Sequence, residues 1–131
     1  MDPKTSLLKQ VPLFQQLSKR ELAQVAALAD EIDLPAGRTL TTEGANGREF
    51  VVLVDGIADV SQDGEVVNTL GPGDFLGEIA LVTGEPRTAT VTTRSPSRLL
   101  VMNAAAFRSL LHDAPQLKKR VLATAALRAA G

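Results

Sequence analysis

The spacing of hydrophobic residues changes twice along this chain of 131 residues. Between residues 18 and 30 the apolar positions recur every three or four residues, which is typical of one face of an α-helix. From about residue 31 to residue 103 they form short runs separated by turns rich in glycine, which is typical of strands. Helical spacing returns after residue 103. The pattern predicts a β region with helices before and after it.

The N-terminal helix has a clear predicted start. Ser18 is placed to cap it, and Glu21, three residues later, is placed to bond back to the backbone of Ser18. Leu17 and Leu22 are spaced to pack on each other across this first turn. Upstream, residues 11–14 predict a turn or a short helix that packs back on the β region.

Two further helices are predicted at the C-terminal end. Asn103 is the expected N-cap of the first. Asp113 is the expected N-cap of the second, with Pro115 tolerated in its first turn and Gln116 three residues after the cap. Arg128 lies in the last turns of this second helix.

The central region predicts many short strands. Five turn signals divide it: Pro35–Gly37, Gly44–Gly47, Asp55-Gly56, Asp63-Gly64 and Gly71–Gly73. The apolar runs 49–54 and 57–60 flank Asp55-Gly56, so a tight hairpin is expected there. Residues 88–93 and 98–102 are the expected closing strands. Strands of this length and spacing favour a sandwich, roll or barrel over a parallel sheet.

Composition narrows the chemistry. The net charge is −1 and the chain has no cysteine, one histidine and four phenylalanines as its only aromatic residues. A general nucleic-acid surface would be basic, a thiolate metal site needs cysteine, and a cupin-type metal site needs several histidines. No apolar run approaches the roughly 20 residues of a membrane span. We therefore expect one cytoplasmic domain over residues 1–131, without metal, nucleic-acid partner or direct membrane insertion.

Residues 75–91 carry the candidate chemistry. A helical turn starting at Gly77-Glu78 would present unpaired N–H groups to an anion, and Gly77 has no Cβ to block the approach. Arg87 offers a planar fork of donors suited to phosphate, whereas the carboxylate of Glu78 can only accept hydrogen bonds, as from a sugar hydroxyl. Thr88 adds one donor and acceptor. On residue types alone, a salt bridge between Glu78 and Arg87 that merely closes the loop is an equally good interpretation.

Residues 75–81, followed by residues 86–91, resemble the phosphate-binding cassette of cyclic nucleotide-binding domains. This family includes the catabolite-activator regulators, the regulatory subunits of cAMP-dependent kinase and cyclic nucleotide-gated channels, and the chain resembles the bacterial channel type most. The resemblance extends over nearly the whole chain, through residues 12–14, residues 35–37, Glu43-Gly44 and Gly56.

The resemblance implies a mainly β fold with flanking helices. The expected core is an eight-stranded antiparallel β-roll (a double-stranded β-helix of jelly-roll type) at residues 31–103. An N-terminal helical part, residues 1–30, precedes it, and two C-terminal helices, residues 104–131, follow it. No cofactor is implied. The expected ligand is cAMP, with cGMP as the alternative.

The resemblance also assigns roles to single residues. Arg87 would bind the cyclic phosphate and Glu78 would accept from the ribose 2′-hydroxyl. The backbone would complete the phosphate site at Gly77, Ile79, Ala80 and Ala89. A hydroxyl at the position of Thr88 is associated with contact to guanine, so cGMP stays open beside cAMP. Val60 would pack against the base.

The C-terminal helix is where members of the family cover the base. Arg128 is expected either to stack over the purine or to remain a solvated charge at the helix end. The expected function is a ligand sensor and not an enzyme, acting on a fused or partner effector such as a channel, kinase or regulator. The alternative is a module that keeps the roll but serves for dimerisation or docking without ligand. The sequence does not indicate the oligomeric state.

Overall fold

The elements of the fold follow the predicted order of helices, strands and helices. The computed structural model describes residues 3–45, 49–77, 87 and 89–130, with side chains from residue 6 to residue 123 in those ranges. The helical elements are α1 (Pro3–Lys9), a single 3-10 turn (Pro12–Phe14), α2 (Lys19–Leu28), α3 (Ala104–Asp113) and α4 (Pro115–Ala130). The strands are β1 (Asp30–Leu34), β2 (Thr39–Thr41), β3 (Glu49–Asp55), β4 (Ala58–Gln62), β5 (Glu65–Leu70), β6 (Phe75–Leu76), β7 (Thr90–Thr93) and β8 (Ser97–Asn103).

Side-chain caps start α2 and α3 as predicted. The hydroxyl of Ser18 accepts from the backbone N–H of Glu21 at 3.1 Å, and the carboxylate of Glu21 accepts from the N–H of Ser18 at 2.9 Å. The side-chain oxygen of Asn103 accepts from the N–H of Ala106 at 2.8 Å. Both caps satisfy N–H groups that have no partner within their helix.

The predicted cap at Asp113 is wrong. Asp113 is the last residue of α3, and α4 begins at Pro115 after the fully buried Ala114. The carboxylate of Asp113 instead accepts from the side-chain amide of Gln24 on α2, at 2.8 Å. The carboxylate that local spacing predicts as the cap of α4 therefore forms a contact between α3 and α2 instead. Pro115 does occupy the first position of α4, where its missing N–H costs nothing.

The eight described strands form two antiparallel sheets of four. The first sheet has the order β1-β8-β3-β6 and the second the order β2-β7-β4-β5. All six strand pairings that the structure describes are antiparallel, and β3 and β8 run together over most of their length, from Glu49 opposite Asn103 to Asp55 opposite Arg98. This arrangement confirms the mainly β fold with flanking helices.

The hairpin predicted at Asp55-Gly56 is wrong, although the turn itself is present. β3 lies in the first sheet and β4 in the second, so the chain changes sheets at this corner. Gly56 has a φ of 105°, and a Cβ there would lie 2.7 Å from the Cβ of Ser97 and 2.8 Å from the carbonyl oxygen of Pro96. Glycine is required because the corner packs directly on the turn that precedes β8.

The two-residue hairpin occurs at the next turn signal. Gln62 pairs with Glu65 across Asp63 and Gly64, and these two residues have φ values of 52° and 82°. Two successive positive φ values are typical of a type I′ turn, whose twist matches that of the strands. This turn joins β4 to β5 at the edge of the second sheet.

The first sheet is covered on both faces, which explains the nearly continuous apolar run of β3. Phe50 and Val52 face the helices, whereas Val51 and Leu53 face the second sheet. The outer cluster, between the helices and the first sheet, takes side chains from both ends of the chain. It contains, among others, Leu8, Phe14, Leu22, Val25, Phe50, Phe107, Leu110, Leu117 and Val121. The inner cluster, between the two sheets, consists of Val51, Leu53, Ala58, Leu70, Leu76, Val91 and Leu99.

Candidate ligand-binding site

Gly77 follows β6 and marks the start of the candidate site. β6 pairs with β3, with Leu76 opposite Val51, and this pairing brings Gly77 against the first residue of β3. The φ of Gly77 is 98°, a conformation that side chains rarely adopt. A Cβ on Gly77 would collide with the carbonyl oxygen of Glu49 and would lie 2.5 Å from Nη1 of Arg87. Glycine is therefore required here both for its backbone conformation and for space.

The guanidinium group of Arg87 lies against this glycine. Its Nη2 donates to the carbonyl oxygen of Glu49 at 2.6 Å, and its Nη1 is buried. Gly77 and Arg87, ten residues apart in the chain, thus share one place beside the start of β3. The structure brings together these two residues, both of which are predicted to bind phosphate.

The backbone of Arg87 is held as well. Its carbonyl oxygen accepts from the N–H of Gly44 at 2.8 Å, and its N–H donates to the carbonyl oxygen of Ala45 at 2.8 Å. The sequence predicts a turn at Gly44 but no part for this turn in the site. The contact runs through backbone atoms, which every residue type possesses, so composition and spacing carry no signal for it.

Ala89 and Val60 lie near the segment that leads away from Arg87. Ala89 is half-buried, and its carbonyl oxygen accepts from the hydroxyl of Thr41 at 3.1 Å. Val60 is half-buried on β4, stands opposite Val91 on β7, and packs against the inner cluster. Val60 therefore faces the interior of the roll, the side on which a base would have to lie to contact it.

Several predicted site residues lie outside the described residues. These are Glu78, Ile79, Ala80 and Thr88, and the question of a salt bridge between Glu78 and Arg87 lies there too. Arg128 belongs to α4, but its side chain also falls outside the described part. Their assigned roles stay predictions.

The described part of the site is suited to an anion. A guanidinium group fixed beside a glycine combines a planar set of charged donors with a backbone that a ligand can approach closely. Within the described ranges, no cluster of three or more His, Cys, Asp or Glu side chains could hold a metal ion. Among the same residues, no helix has the length and apolar character needed to cross a membrane.

Comparison with known proteins gives a consistent result. A family model for the cyclic nucleotide-binding domain matches residues 31–114. A cyclic nucleotide-gated potassium channel of Mesorhizobium japonicum is 35% identical over 111 residues, which are 85% of this chain and 31% of the channel. A cAMP-dependent protein kinase regulatory subunit of Aspergillus niger is 32% identical over 117 residues, which are 88% of this chain and 28% of the subunit.

A solved structure is similar as well. The regulatory domain of Toxoplasma gondii PKA in complex with cAMP has a TM-score of 0.74 and 34% identity, over 85% of this chain and 44% of that one. The chain spans about a third of the length of the two relatives described above. The matched residues 31–114 extend from the second residue of β1 to the residue after α3, and they include Gly77 and Arg87. The chain belongs to the cyclic nucleotide-binding domain family.

Proposed function

We propose that this chain binds a 3′,5′-cyclic purine nucleotide and acts as a regulatory sensor domain without catalytic activity. The expected ligand is cAMP, with cGMP as the alternative. The observation that carries the proposal is the position of the Arg87 guanidinium, fixed by Glu49 and in contact with Gly77. The cAMP in the similar regulatory domain of Toxoplasma gondii PKA supports it.

The cyclic phosphate is proposed to bind at Arg87. The hydrogen bond from Arg87 to the carbonyl oxygen of Glu49 uses one N–H donor of the guanidinium and orients the guanidinium plane. A fork of fixed orientation matches a phosphate group, which presents two oxygens side by side. The backbone at Gly77 lies next to the guanidinium, so a phosphate bound to Arg87 would also be close to main-chain atoms.

The remaining contacts are proposed from the sequence. Glu78 would accept a hydrogen bond from the ribose 2′-hydroxyl. The backbone at Ile79, Ala80 and Ala89 would complete the phosphate site, and Thr88 would lie near the base. Val60, which faces the interior of the roll, would pack on the purine. Arg128 would cover the base from α4.

The output is proposed to pass through α4. Leu117 and Val121 anchor this helix in the outer cluster, so its first half is packed against the domain. Ligand binding would favour the arrangement in which the helix lies over the base, so its position would report occupancy. We propose residues 1–131 as one domain that acts in the cytoplasm. Its effector would be of the kind named for the relatives, a channel or a kinase.

Isothermal titration calorimetry with cAMP and with cGMP tests the proposal, and competition between the two nucleotides determines the preference. Arg87→Ala is expected to weaken binding by about 2–5 kcal/mol, which is roughly thirtyfold or more. Arg38→Ala is the matched control, because Arg38 is an exposed arginine at the β1–β2 turn, at the opposite end of β7 from Ala89. Absence of heat with either nucleotide, or equal affinity of the two variants, would contradict the proposal and favour a docking module.

A further inference from the structure

The chain after Arg87 is held by hydrogen bonds that lie beyond the end of the strand pair β2 and β7. β2 and β7 pair with Thr39 opposite Thr92, but the register then shifts, so that Thr41 stands opposite Val91. β2 ends at Thr41 and β7 begins at Thr90. The regular backbone pairing of these two strands therefore stops three residues short of Arg87.

Two hydroxyl groups continue the contact beyond that point. The hydroxyl of Thr41 donates to the carbonyl oxygen of Ala89 at 3.1 Å. The hydroxyl of Thr90 accepts from the backbone N–H of Glu43 at 3.0 Å. Each bond joins a side chain at the end of one strand to the backbone just beyond the end of the other, so both depend on residue type.

Backbone pairing resumes at Arg87 itself. The N–H of Gly44 donates to the carbonyl oxygen of Arg87, and the N–H of Arg87 donates to that of Ala45, both at 2.8 Å. Residues 41–45 thus contact Arg87, Ala89, Thr90 and Val91 in antiparallel order, with the two threonine bonds between the strand pair and Arg87. This segment is tied in turn to the β4–β5 hairpin, because the carboxylate of Glu43 accepts from the N–H of Asp63 at 3.2 Å.

We propose that the hydroxyls of Thr41 and Thr90 are positioning groups that fix Arg87 for the cyclic phosphate. This inference rests on the proposed function. Neither hydroxyl is assigned a contact with the ligand. Both restrict the backbone next to Arg87, and a group that is ordered before binding loses less entropy when the ligand arrives. Removal of either hydroxyl would remove a side-chain hydrogen bond that holds the chain close to Arg87.

The first test compares three threonine variants by calorimetric titration with cAMP. Thr41→Val removes the hydroxyl and keeps the branched shape, and it is expected to weaken binding about threefold to tenfold, the usual range for one lost hydrogen bond. Thr41→Ser keeps the hydroxyl and is expected to recover most of this loss. Thr39→Val is the control, since Thr39 is an exposed threonine of the same strand that faces Thr92. Thr90→Val tests the second bond, with a loss of the same size expected.

The second test asks whether the effect passes through Arg87. In an Arg87→Lys background, which keeps the charge but loses the planar fork, Thr41→Val is expected to cost much less than in the unaltered protein. All titrations are made well below the thermal midpoint of each variant. A purely structural role of Thr41 would lower the midpoint while leaving the affinity of the folded protein unchanged.

The outcomes separate this inference from the proposed function. If the unaltered protein binds cAMP and Arg87→Ala does not, the function stands. Equal affinities of Thr41→Val and Thr39→Val would then overturn the positioning role alone, as would a loss from Thr41→Val that is the same in the Arg87→Lys background. If the unaltered protein binds neither cAMP nor cGMP, both proposals fail together.

Discussion

Arg87 is held by hydrogen bonds at its backbone and at its guanidinium group. Gly44 and Ala45 bind its backbone, and the carbonyl oxygen of Glu49 accepts from its guanidinium. An arginine side chain loses up to about 2 kcal/mol of rotamer entropy when it is ordered. Here that cost falls largely on folding, because contacts within the protein itself hold the group in place. A guanidinium that is already oriented favours tight binding of an anion, because less entropy is lost when the anion binds.

Gly77→Ala is expected to impair both stability and binding. A φ of 98° strains any residue with a Cβ, at a cost of about 1–2 kcal/mol, and the new methyl group would also collide with Glu49 and press on Arg87. We expect cAMP affinity to fall by about tenfold or more, equivalent to about 1.4 kcal/mol. Chemical denaturation and calorimetric titration measure the two effects.

Gly37→Ala is the matched control for Gly77→Ala. Gly37 has a φ of 86°, and a Cβ there would meet nothing within 4 Å. Gly37→Ala should therefore show the effect of backbone strain alone. We expect it to lose about as much stability as strain costs in Gly77→Ala, and its cAMP affinity should be unchanged. If both variants bound cAMP as the unaltered protein does, the close approach of Gly77 to Arg87 would have no part in binding.

Asp33 links stability to pH. The hydrogen bond from Arg98, which lies directly opposite on β8, holds the pKa of Asp33 below its ordinary value of 3.8. A lowered pKa in the folded state stabilises the protein above the unfolded-state value, and this contribution is lost as the pH falls through the lowered value. Asp33→Asn is therefore expected to lower the thermal midpoint slightly at pH 7 and to have no such effect in strong acid. The effect is small because the pair is exposed to solvent.

Asp30→Asn provides the comparison for Asp33→Asn. It removes the same charge from the same strand, at a position that faces Val101 and not an arginine. Thermal unfolding of both variants from pH 7 down to pH 2 measures the difference. Identical profiles for the two variants would show that Arg98 contributes nothing specific to the acid sensitivity of the fold.

Site residues could be predicted only where the residue type itself carries the signal. Residue type and spacing make Gly77 and Arg87 candidates, the resemblance to the cassette assigns them to the phosphate, and the structure places them side by side. The carbonyl oxygens of Glu49 and Ala45, which accept hydrogen bonds from Arg87, could not be predicted, because every residue has a carbonyl group. Only the complete sheet arrangement determines which carbonyl oxygens lie next to Arg87.

At the scale of the elements, α3 makes an aromatic contact with the first sheet. The rings of Phe107 and Phe50 are stacked with centroids 4.3 Å apart, and Phe107 is 1% exposed. Phe107→Ala would leave a cavity between helix and sheet, and we expect it to lower the free energy of unfolding by about 3–5 kcal/mol. Urea denaturation measures the loss.

The neighbouring Arg108 supplies the control for Phe107→Ala. It is exposed on the same helix, so Arg108→Ala should change the free energy of unfolding by no more than about 0.5 kcal/mol. A loss below about 1 kcal/mol for Phe107→Ala would mean that the surrounding side chains collapse into the space, and that α3 is held mainly by its other contacts.

Element boundaries were easier to predict than element partners. The local caps at Ser18 and Asn103 were predicted correctly, whereas the cap predicted at Asp113 was wrong because its carboxylate bonds to Gln24 on another helix. The turn at Asp55-Gly56 was also located correctly, but its strands enter different sheets, whereas the similar signal at Asp63-Gly64 does close a hairpin. An Asp-Gly pair favours a reversal of the chain, yet which strands pair depends on the distant residues that β3 and β4 meet.

At the scale of the whole molecule, both ends of the chain pack on the same face of the first sheet. Leu8 from α1 and Val121 from α4 are both fully buried in the outer cluster. Nη1 of Arg120 on α4 donates to the carbonyl oxygen of Leu13 in the 3-10 turn at 3.2 Å. A movement of α4 would therefore disturb the N-terminal elements as well, and an effector attached at either end could sense it.

The separation of the core into two clusters has a consequence for how the protein opens. Among the described residues, the side chains of the inner cluster come from strands, whereas those of the helices belong to the outer cluster. The helical layer can therefore detach while the two sheets stay closed on each other. We expect native-state amide exchange to show two levels of protection, with β3 and β8 slowest and α1 and α4 faster. Equal protection of α1 and β8 would show a single cooperative unit, whereas two levels would mean that the helices leave and rejoin a persistent β framework.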